Sequence, residues 1–212
     1  MEFKKGVDVY SSDDEKVGSL LRVVMDPKTR KVSHLVVKEG ILFTEDKVVP
    51  IELVESVSHE RITMKEIKEN LDDLPMYEET HYIPIDEAGD YPESVYWYPP
   101  VDMYWGRFGD YPVFPESQFV QRTATNIPEG TVGLMEGAKV IAADDEKVGE
   151  IESMIANPRD KRITHLVVSG GLLGLEKRII PVHWLSTVRE DEVFLSVDSR
   201  FWERLPEYHP QP

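Results

Sequence analysis

The stretch Asp-Asp-Glu-Lys-Val-Gly at residues 13–18 recurs unchanged at residues 144–149. The same offset of 131 positions aligns residues 6–77 with residues 137–208 without a gap, and 21 of the 72 paired positions are identical. A gapless match of this length indicates that one unit has been duplicated. The sequence therefore predicts two copies of one fold, and the paired differences serve as a two-sequence comparison.

Each unit is predicted to be a small all-β domain, because short apolar strands are separated by closely spaced turn signals. Residues 31–38 are apolar on both alternating faces, which predicts a strand that is covered on both sides. A short helix follows the strands at residues 66–71, and its counterpart is at residues 198–204. The strands of the first unit are predicted at residues 7–10, 17–25, 31–38, 47–53, 54–57 and 62–64.

Three kinds of residue with a defined structural role are kept in both units, namely a glycine, a histidine and a proline. Each histidine alternates with apolar neighbours and has no second ligand at a metal-binding spacing. Both histidines are therefore predicted to be structural, with the ring bonded to a backbone carbonyl. Each proline is interpreted as a bend or an unpaired edge position. These repeat positions are Gly18, His34, Pro50, Gly149, His165 and Pro181.

Residues 78–136 differ from both units and are interpreted as a connector. They contain 11 of the 20 aromatic residues and 7 of the 15 prolines, and their net charge is −9. Disordered linkers are poor in aromatics, so we expect this segment either to wrap the barrels and fill the groove between them or to dock a partner. The candidate residues for packing or docking are Tyr96, Trp97, Tyr98, Tyr104, Trp105, Phe108 and Tyr111.

These boundaries divide the chain into a first repeat (residues 1–77), the connector (78–136) and a second repeat (137–212). A unit of about 70 residues has a marginal core when it folds alone. We therefore expect the two repeats to pack closely about a pseudo-twofold axis rather than to behave as independent beads.

Composition narrows the classes of function. The chain has 212 residues, no cysteine and a net charge of −16. Without cysteine there is no disulfide, thiol nucleophile or thiolate metal site. Nucleic-acid binding needs a cationic footprint, and the densest basic runs are interpreted as solvated turns. Those runs are Lys28, Arg30 and Lys31, and Arg159, Lys161 and Arg162.

Targeting signals are not evident in the sequence. The first residues contain no apolar stretch of the secretory type, and no run approaches the ~20 apolar residues that span a bilayer. The protein is therefore expected to be soluble and cytoplasmic, with no integral membrane segment. The acidic turns at residues 13–15 and 144–146 lack the carboxylate spacing of an EF-hand and are interpreted as solvated hairpin turns.

The order of motifs resembles the PRC-barrel family. A glycine-led strand is followed by Asp-Asp-Glu-Lys-Val-Gly, an Asp/Asn-Pro turn, His-Leu-Val-Val, a glycine-containing loop and then Val-Val-Pro-Ile or Ile-Ile-Pro-Val. That family includes the cytoplasmic domain of the photosynthetic reaction-centre H subunit and the C-terminal domain of a ribosome maturation factor. The resemblance implies two small β-barrels that act as binding or scaffold modules.

Three functions remain open at this point. The first is a non-catalytic scaffold that binds an unidentified protein partner. The second, implied by the resemblance, is a peripheral component of a membrane electron-transfer complex. The third is a hydrolase with a site between the barrels that uses Glu52 or His183. No catalytic, metal or cofactor-binding residue is assigned, no nucleic-acid partner is expected, and homo-oligomerisation is left open.

Overall fold

The structure is a computed structural model, and its contacts divide the chain into two units. One unit contains Met1–Tyr77 and Asn126–Pro212, and the other contains Glu78–Thr125. Both repeats therefore belong to the same unit. The residues that the structure describes are 1–39, 46–58, 60–67, 73–84, 95–96, 119–171 and 176–208.

The first repeat forms one sheet in which the strand order is β5-β4-β3-β2-β7-β6. Its neighbouring strands are antiparallel except for β2 and β7, which are parallel. A 3₁₀ turn, Ile51–Leu53, follows the edge strand. The strands, together with the N-terminal β1, are β1 (Glu2–Lys4), β2 (Asp8–Tyr10), β3 (Lys16–Met25), β4 (Val32–Glu39), β5 (Asp46–Pro50), β6 (Val54–Val57) and β7 (Arg61–Met64).

The second repeat reproduces this topology, with the order β15-β14-β13-β12-β17-β16 and a parallel pair formed by β12 and β17. Duplication of one all-β fold is thus confirmed. The elements are β11 (Val132–Met135), β12 (Lys139–Ile141), β13 (Lys147–Ala156), β14 (Ile163–Gly170), β15 (Glu176–Pro181), the 3₁₀ turn Val182–Trp184, β16 (Leu185–Val188), β17 (Glu192–Leu195) and helix α1 (Ser199–Arg204).

The two repeats exchange strands. Strand β1, at the start of the chain, pairs with β13 of the second repeat, and Phe3 lies opposite Met154. Strand β11 pairs in the same antiparallel way with β3 of the first repeat, and Leu134 lies opposite Val23. Since β1 and β11 occupy corresponding positions in the two copies, the exchange is reciprocal and follows the pseudo-twofold symmetry.

A single hydrophobic core results from this exchange. Phe3 and Leu134 are 1% and 0% exposed, and both belong to one cluster that contains side chains of both repeats. Close packing of the repeats is therefore confirmed. The sequence-based prediction missed the exchanging strands, because the alignment of the two repeats began at residues 6 and 137, after both strands.

Strand β4 is covered on both faces, as its sequence predicts. Leu35 and Val37 lie in the shared core, whereas Val36 packs in a second cluster with Val48 and Tyr77. Tyr77 is 1% exposed, and its backbone N–H donates to the carbonyl of Asp46 at 2.6 Å. The segment that precedes the connector therefore covers the free edge of β5, and such cover protects a sheet edge from pairing with other chains.

Several predicted boundaries differ from the structure. The strand predicted at residues 47–53 ends at Pro50, because the chain turns there into the 3₁₀ segment. Helix α1 begins at Ser199, one residue after the predicted start. In the first repeat, residues 68–71 of the predicted helix lie outside the described residues, and Glu66 and Ile67 are not helical.

The segment predicted to be a connector divides at Thr125. Residues 126–136 belong to the unit of the repeats and include β11, so they are structural residues of the fold. The other unit has a three-stranded antiparallel sheet in the order β8-β10-β9. Its strands are β8 (Glu78–Pro84), β9 (Val95–Tyr96) and β10 (Phe119–Thr125).

Replacement of Phe3 by alanine tests whether the exchange of β1 and β11 builds a core that both repeats share. Because the Phe3 ring is buried between the repeats, Phe3→Ala should lower the free energy of unfolding by about 3–5 kcal/mol. Urea denaturation followed by circular dichroism measures this change. The matched control is Phe201→Ala at a ring that is 48% exposed, where a loss of about 1 kcal/mol or less is expected. Equal losses at the two positions would contradict a shared core.

Candidate functional site

Two basic turns, which lie far apart in the sequence, meet where the repeats join. Lys31 and Arg162 form an antiparallel β-bridge. The backbone N–H of Val32 donates to the carbonyl of Lys161 at 2.9 Å, and the N–H of Ile163 donates to that of Arg30 at 2.9 Å. The two bonds are equivalent under the 131-residue offset, so the pseudo-twofold axis passes between the turns.

Hydrogen bonds within each basic turn determine its backbone conformation. The Asp26 carboxylate accepts hydrogen bonds from the backbone N–H groups of Lys28 and Thr29 at 2.7 and 3.2 Å. These bonds lower the pKa of the Asp26 carboxyl. Arg30 and Lys161 then take positive φ angles of 61° and 60°, which reverse the chain direction at the end of each turn. Such side-chain-capped turns are a common use of aspartate and asparagine.

An open cleft of about 550 Å³ lies beside the joined turns, between the 3₁₀ turn of the first repeat and the basic turn of the second. We call it the inter-repeat cleft. Three carboxylates line it, from Glu52, Glu55 and Asp160. Five cationic side chains line it, namely Lys31, Lys65, Arg159, Lys161 and Arg162.

The cations of the cleft have few bonding partners among the described residues. Among the described residues, no salt bridge involves any of the five. The Lys65 ammonium donates instead to the backbone carbonyl of Glu52 at 2.5 Å. Because the five cations outnumber the three carboxylates, the cleft carries a net positive charge, although the chain as a whole is strongly acidic.

The pseudosymmetric counterpart of the cleft, between the 3₁₀ turn of the second repeat and the basic turn of the first, differs. There Arg30 takes the place of Lys161, and its guanidinium donates to the carbonyl oxygens of Val182 and Leu185. Ser196 corresponds to Lys65, and its hydroxyl donates to the carbonyl of Trp184 at 3.0 Å. The protein's own carbonyls therefore bind these donors, whereas the Lys161 side chain makes no hydrogen bond or ion pair with the described residues.

The residues named for a hydrolase site fall in different places. Glu52 lines the inter-repeat cleft. His183 is the middle residue of the other 3₁₀ turn and does not line this cleft, and its ring meets Trp184 edge to face with centroids 6.4 Å apart. The structure therefore does not bring Glu52 and His183 together in this cleft.

The two repeat histidines have different surroundings. His165 Nδ1 lies 3.1 Å from the hydroxyl of Thr164. His34 Nδ1 is buried and has no hydrogen-bond partner in the described part of the chain. Burial lowers the pKa of the His34 imidazole, and the Glu52 carboxylate opposes this effect. The expected bond to a backbone carbonyl is found for neither Nδ1 atom.

The repeat glycines and prolines stand at close contacts and bends. A Cβ added to Gly18 would overlap the carbonyl of Lys38, and one added to Gly149 would overlap that of Ser169. Close approach of two neighbouring strands therefore requires glycine at both positions. Pro50 and Pro181 each end an edge strand and precede a 3₁₀ turn.

The acidic turns are bonded within the protein. Asp14 forms an ion pair with Arg61 at 2.5 Å. Asp144 accepts a hydrogen bond from the Ser199 hydroxyl at 2.7 Å, which lowers the pKa of its carboxyl. Over the described ranges, no group of three or more histidine or carboxylate residues is placed to hold a metal ion.

The aromatic candidates of the connector lie almost entirely outside the described residues. Tyr96 is described only as a backbone position in β9, opposite Phe119 of β10. The other six candidates lie outside the described residues, namely Trp97, Tyr98, Tyr104, Trp105, Phe108 and Tyr111.

Taken together, the topology and the duplicated motifs define a tandem β-barrel protein. A family model described as PRC-barrel domain matches residues 5–71 and again residues 134–200. The chain belongs to the PRC-barrel domain family, as the motif order indicated. None of the curated proteins matches this chain. In the described part of the chain, no helix combines the length and apolar character that a bilayer crossing requires.

The lowered pKa of His34 predicts a pH dependence of stability. Since the folded state binds this proton less readily than the unfolded chain, stability should decrease as the pH falls below about 6.5, the ordinary histidine pKa. His34→Gln should therefore flatten the loss of stability between about pH 7.5 and pH 5.5. The midpoints of urea denaturation, measured for the wild type and for His34→Gln across this pH range, test this prediction.

Glu52→Gln is the matched control, because removal of its carboxylate lowers the His34 pKa further and should make the loss of stability on acidification larger. Equal pH dependence in the wild type and in His34→Gln would contradict the assignment to His34.

Proposed function

We propose that the chain is a non-catalytic binding protein whose two fused barrels hold a protein partner. The observation that carries this proposal is the shared core with its reciprocal strand exchange. Two barrels fixed to each other in this way offer a partner two faces at a constant spacing, which raises the effective concentration of the second face once the first is bound.

The roles of the duplicated residues support the same proposal. Gly18 and Gly149 allow close strand approach, and Pro50 and Pro181 end edge strands. These four residues thus have roles in packing and turning the chain. Retention of the fold in both copies is what a binding module requires, because its function depends on surface shape.

The connector supplies the side chains that we assign to partner binding. Tyrosine and tryptophan contribute strongly to protein interfaces, because they bury large apolar areas and keep a polar group. Trp97 and Trp105 lie in the densest aromatic part of the chain, within nine residues of each other. We therefore assign the main contacts with the partner to this stretch.

A capture experiment tests this function. Tagged full-length protein and the double variant Trp97→Ala/Trp105→Ala are used to capture proteins from cells that express the chain, and captured proteins are quantified by mass spectrometry. The wild type should capture a specific protein, and the double variant should retain at most about a tenth of it, as expected for loss of two interface aromatics.

Phe201→Ala is the control, because it removes an exposed aromatic ring from a repeat rather than from the connector. It should capture as much partner as the wild type. Repeated failure of the wild type to capture any protein would contradict the scaffold function. Equal loss of capture by both variants would contradict the assignment to the connector.

A further inference from the structure

We propose that the inter-repeat cleft binds a small, multiply charged oxyanion of the phosphate-ester or pyrophosphate class. The site requires no protein partner and goes beyond the scaffold function proposed above. Five cations and three carboxylates line the cleft, so its local charge is opposite in sign to that of the chain. An excess of one sign of charge in a cleft attracts a ligand of the opposite sign.

The lack of close ion pairs for these cations among the described residues is the first support. Elsewhere in the described chain, ten lysines and arginines pair with carboxylates, as Lys16 does with Asp8 at 2.8 Å and Lys177 with Glu152 at 2.6 Å, whereas others such as Lys28 and Lys38 do not. None of the cleft cations has such a partner in the described residues. Since like charges held together repel one another, an oxyanion bound among them would relieve this repulsion.

The two halves of the protein provide the second support. Under the 131-residue offset, Lys161 corresponds to Arg30 and Lys65 to Ser196. Arg30 donates to the backbone carbonyl of Val182, and the Ser196 hydroxyl donates to that of Trp184. In the inter-repeat cleft, Lys65 also donates to a backbone carbonyl, that of Glu52, but both positions carry a lysine, so they contribute two positive charges where Arg30 and Ser196 contribute one. Pseudosymmetry of the fold alone therefore does not account for the basic character of this one cleft.

Size and side-chain chemistry define the ligand class. A volume of about 550 Å³ lies within the roughly 300–1,000 Å³ that small-molecule sites occupy. Arg159 and Arg162 carry planar guanidinium groups, which bind the oxygens of phosphate and carboxylate in a bidentate manner, and the lysines add point charges. A long nucleic acid would extend beyond the cleft over an acidic surface, so we assign the site to a small anion.

Isothermal titration calorimetry of the full-length protein at constant ionic strength tests the proposal, with pyrophosphate as the probe. Saturable binding with a Kd below about 1 mM is expected. The double variant Arg159→Glu/Arg162→Glu should weaken binding by at least about tenfold, because it removes two charge-assisted contacts and adds repulsion.

The control variant is Lys38→Glu, since Lys38 is exposed and lies in β4, seven residues beyond Lys31 of the cleft. That separation corresponds to roughly 23 Å along an extended chain. Lys38→Glu should bind pyrophosphate within about twofold of the wild type. Equal weakening by both changes would show a general charge effect and would overturn the site.

A second variant keeps the test valid if the double variant fails to fold. Lys65→Ser introduces the residue that the second repeat has at the equivalent position, Ser196, and should weaken pyrophosphate binding by roughly threefold to tenfold. Unchanged binding by a folded Lys65→Ser would contradict the proposal. Circular dichroism and urea midpoints establish folding in each case.

Two further probes test the ligand class. Citrate, which carries carboxylates without phosphorus, should bind at least about threefold more weakly than pyrophosphate if the site selects phosphate oxygens. Single-stranded DNA should bind no more tightly per molecule than pyrophosphate. Absence of saturable pyrophosphate binding, citrate binding as tight as that of pyrophosphate or tighter, or DNA binding that depends on Arg159 and Arg162 and is tighter than that of pyrophosphate would each overturn the proposal.

Discussion

Reciprocal pairing of β1 with β13 and of β11 with β3 is the constraint on which the rest of the molecule depends. Strand β2 pairs with only the first part of β3, and β11 takes the remaining length of that edge. Without the exchange, each long strand would present unpaired backbone groups, and Phe3 and Leu134 would lose their buried environment. A repeat of this size has too little core alone, so each copy completes the other.

The same exchange fixes the position of the two basic turns. Each turn is a short local structure held by its own aspartate or asparagine, and its sequence alone would leave it in solvent. Strand exchange orients the repeats so that Val32 and Ile163 bond across the axis to the opposite turn. Charges that are separate in the sequence then become neighbours. The cleft is therefore a product of the joined repeats and belongs to neither copy alone.

Sequence alone was sufficient for the fold of one repeat, because a gapless duplication marks every strand twice. The sequence did not reveal strands β1 and β11 or their pairing with the opposite repeat. Strand β1 places one apolar residue, Phe3, between charged neighbours, and β11 was assigned to the connector by composition. The signal that could have found both is the extension of the same offset to Phe3 and Leu134. Their partners lie about 150 and 110 residues away, and local periodicity carries no information on such pairing.

The inter-repeat cleft was not among the sites predicted from the sequence, for a related reason. A net charge of −16 argued against an anionic partner, and each basic turn was judged by its own few residues. Net charge describes the whole molecule, whereas exposed charges act over about 8–10 Å at physiological salt. Five cations within one cleft can therefore dominate their surroundings while the rest of the surface is acidic. That acidic surface would repel an extended polyanion over its length but would act less on an anion small enough to lie among the cations. Global acidity and local basicity together are what the proposed oxyanion site would use to select a ligand by its size.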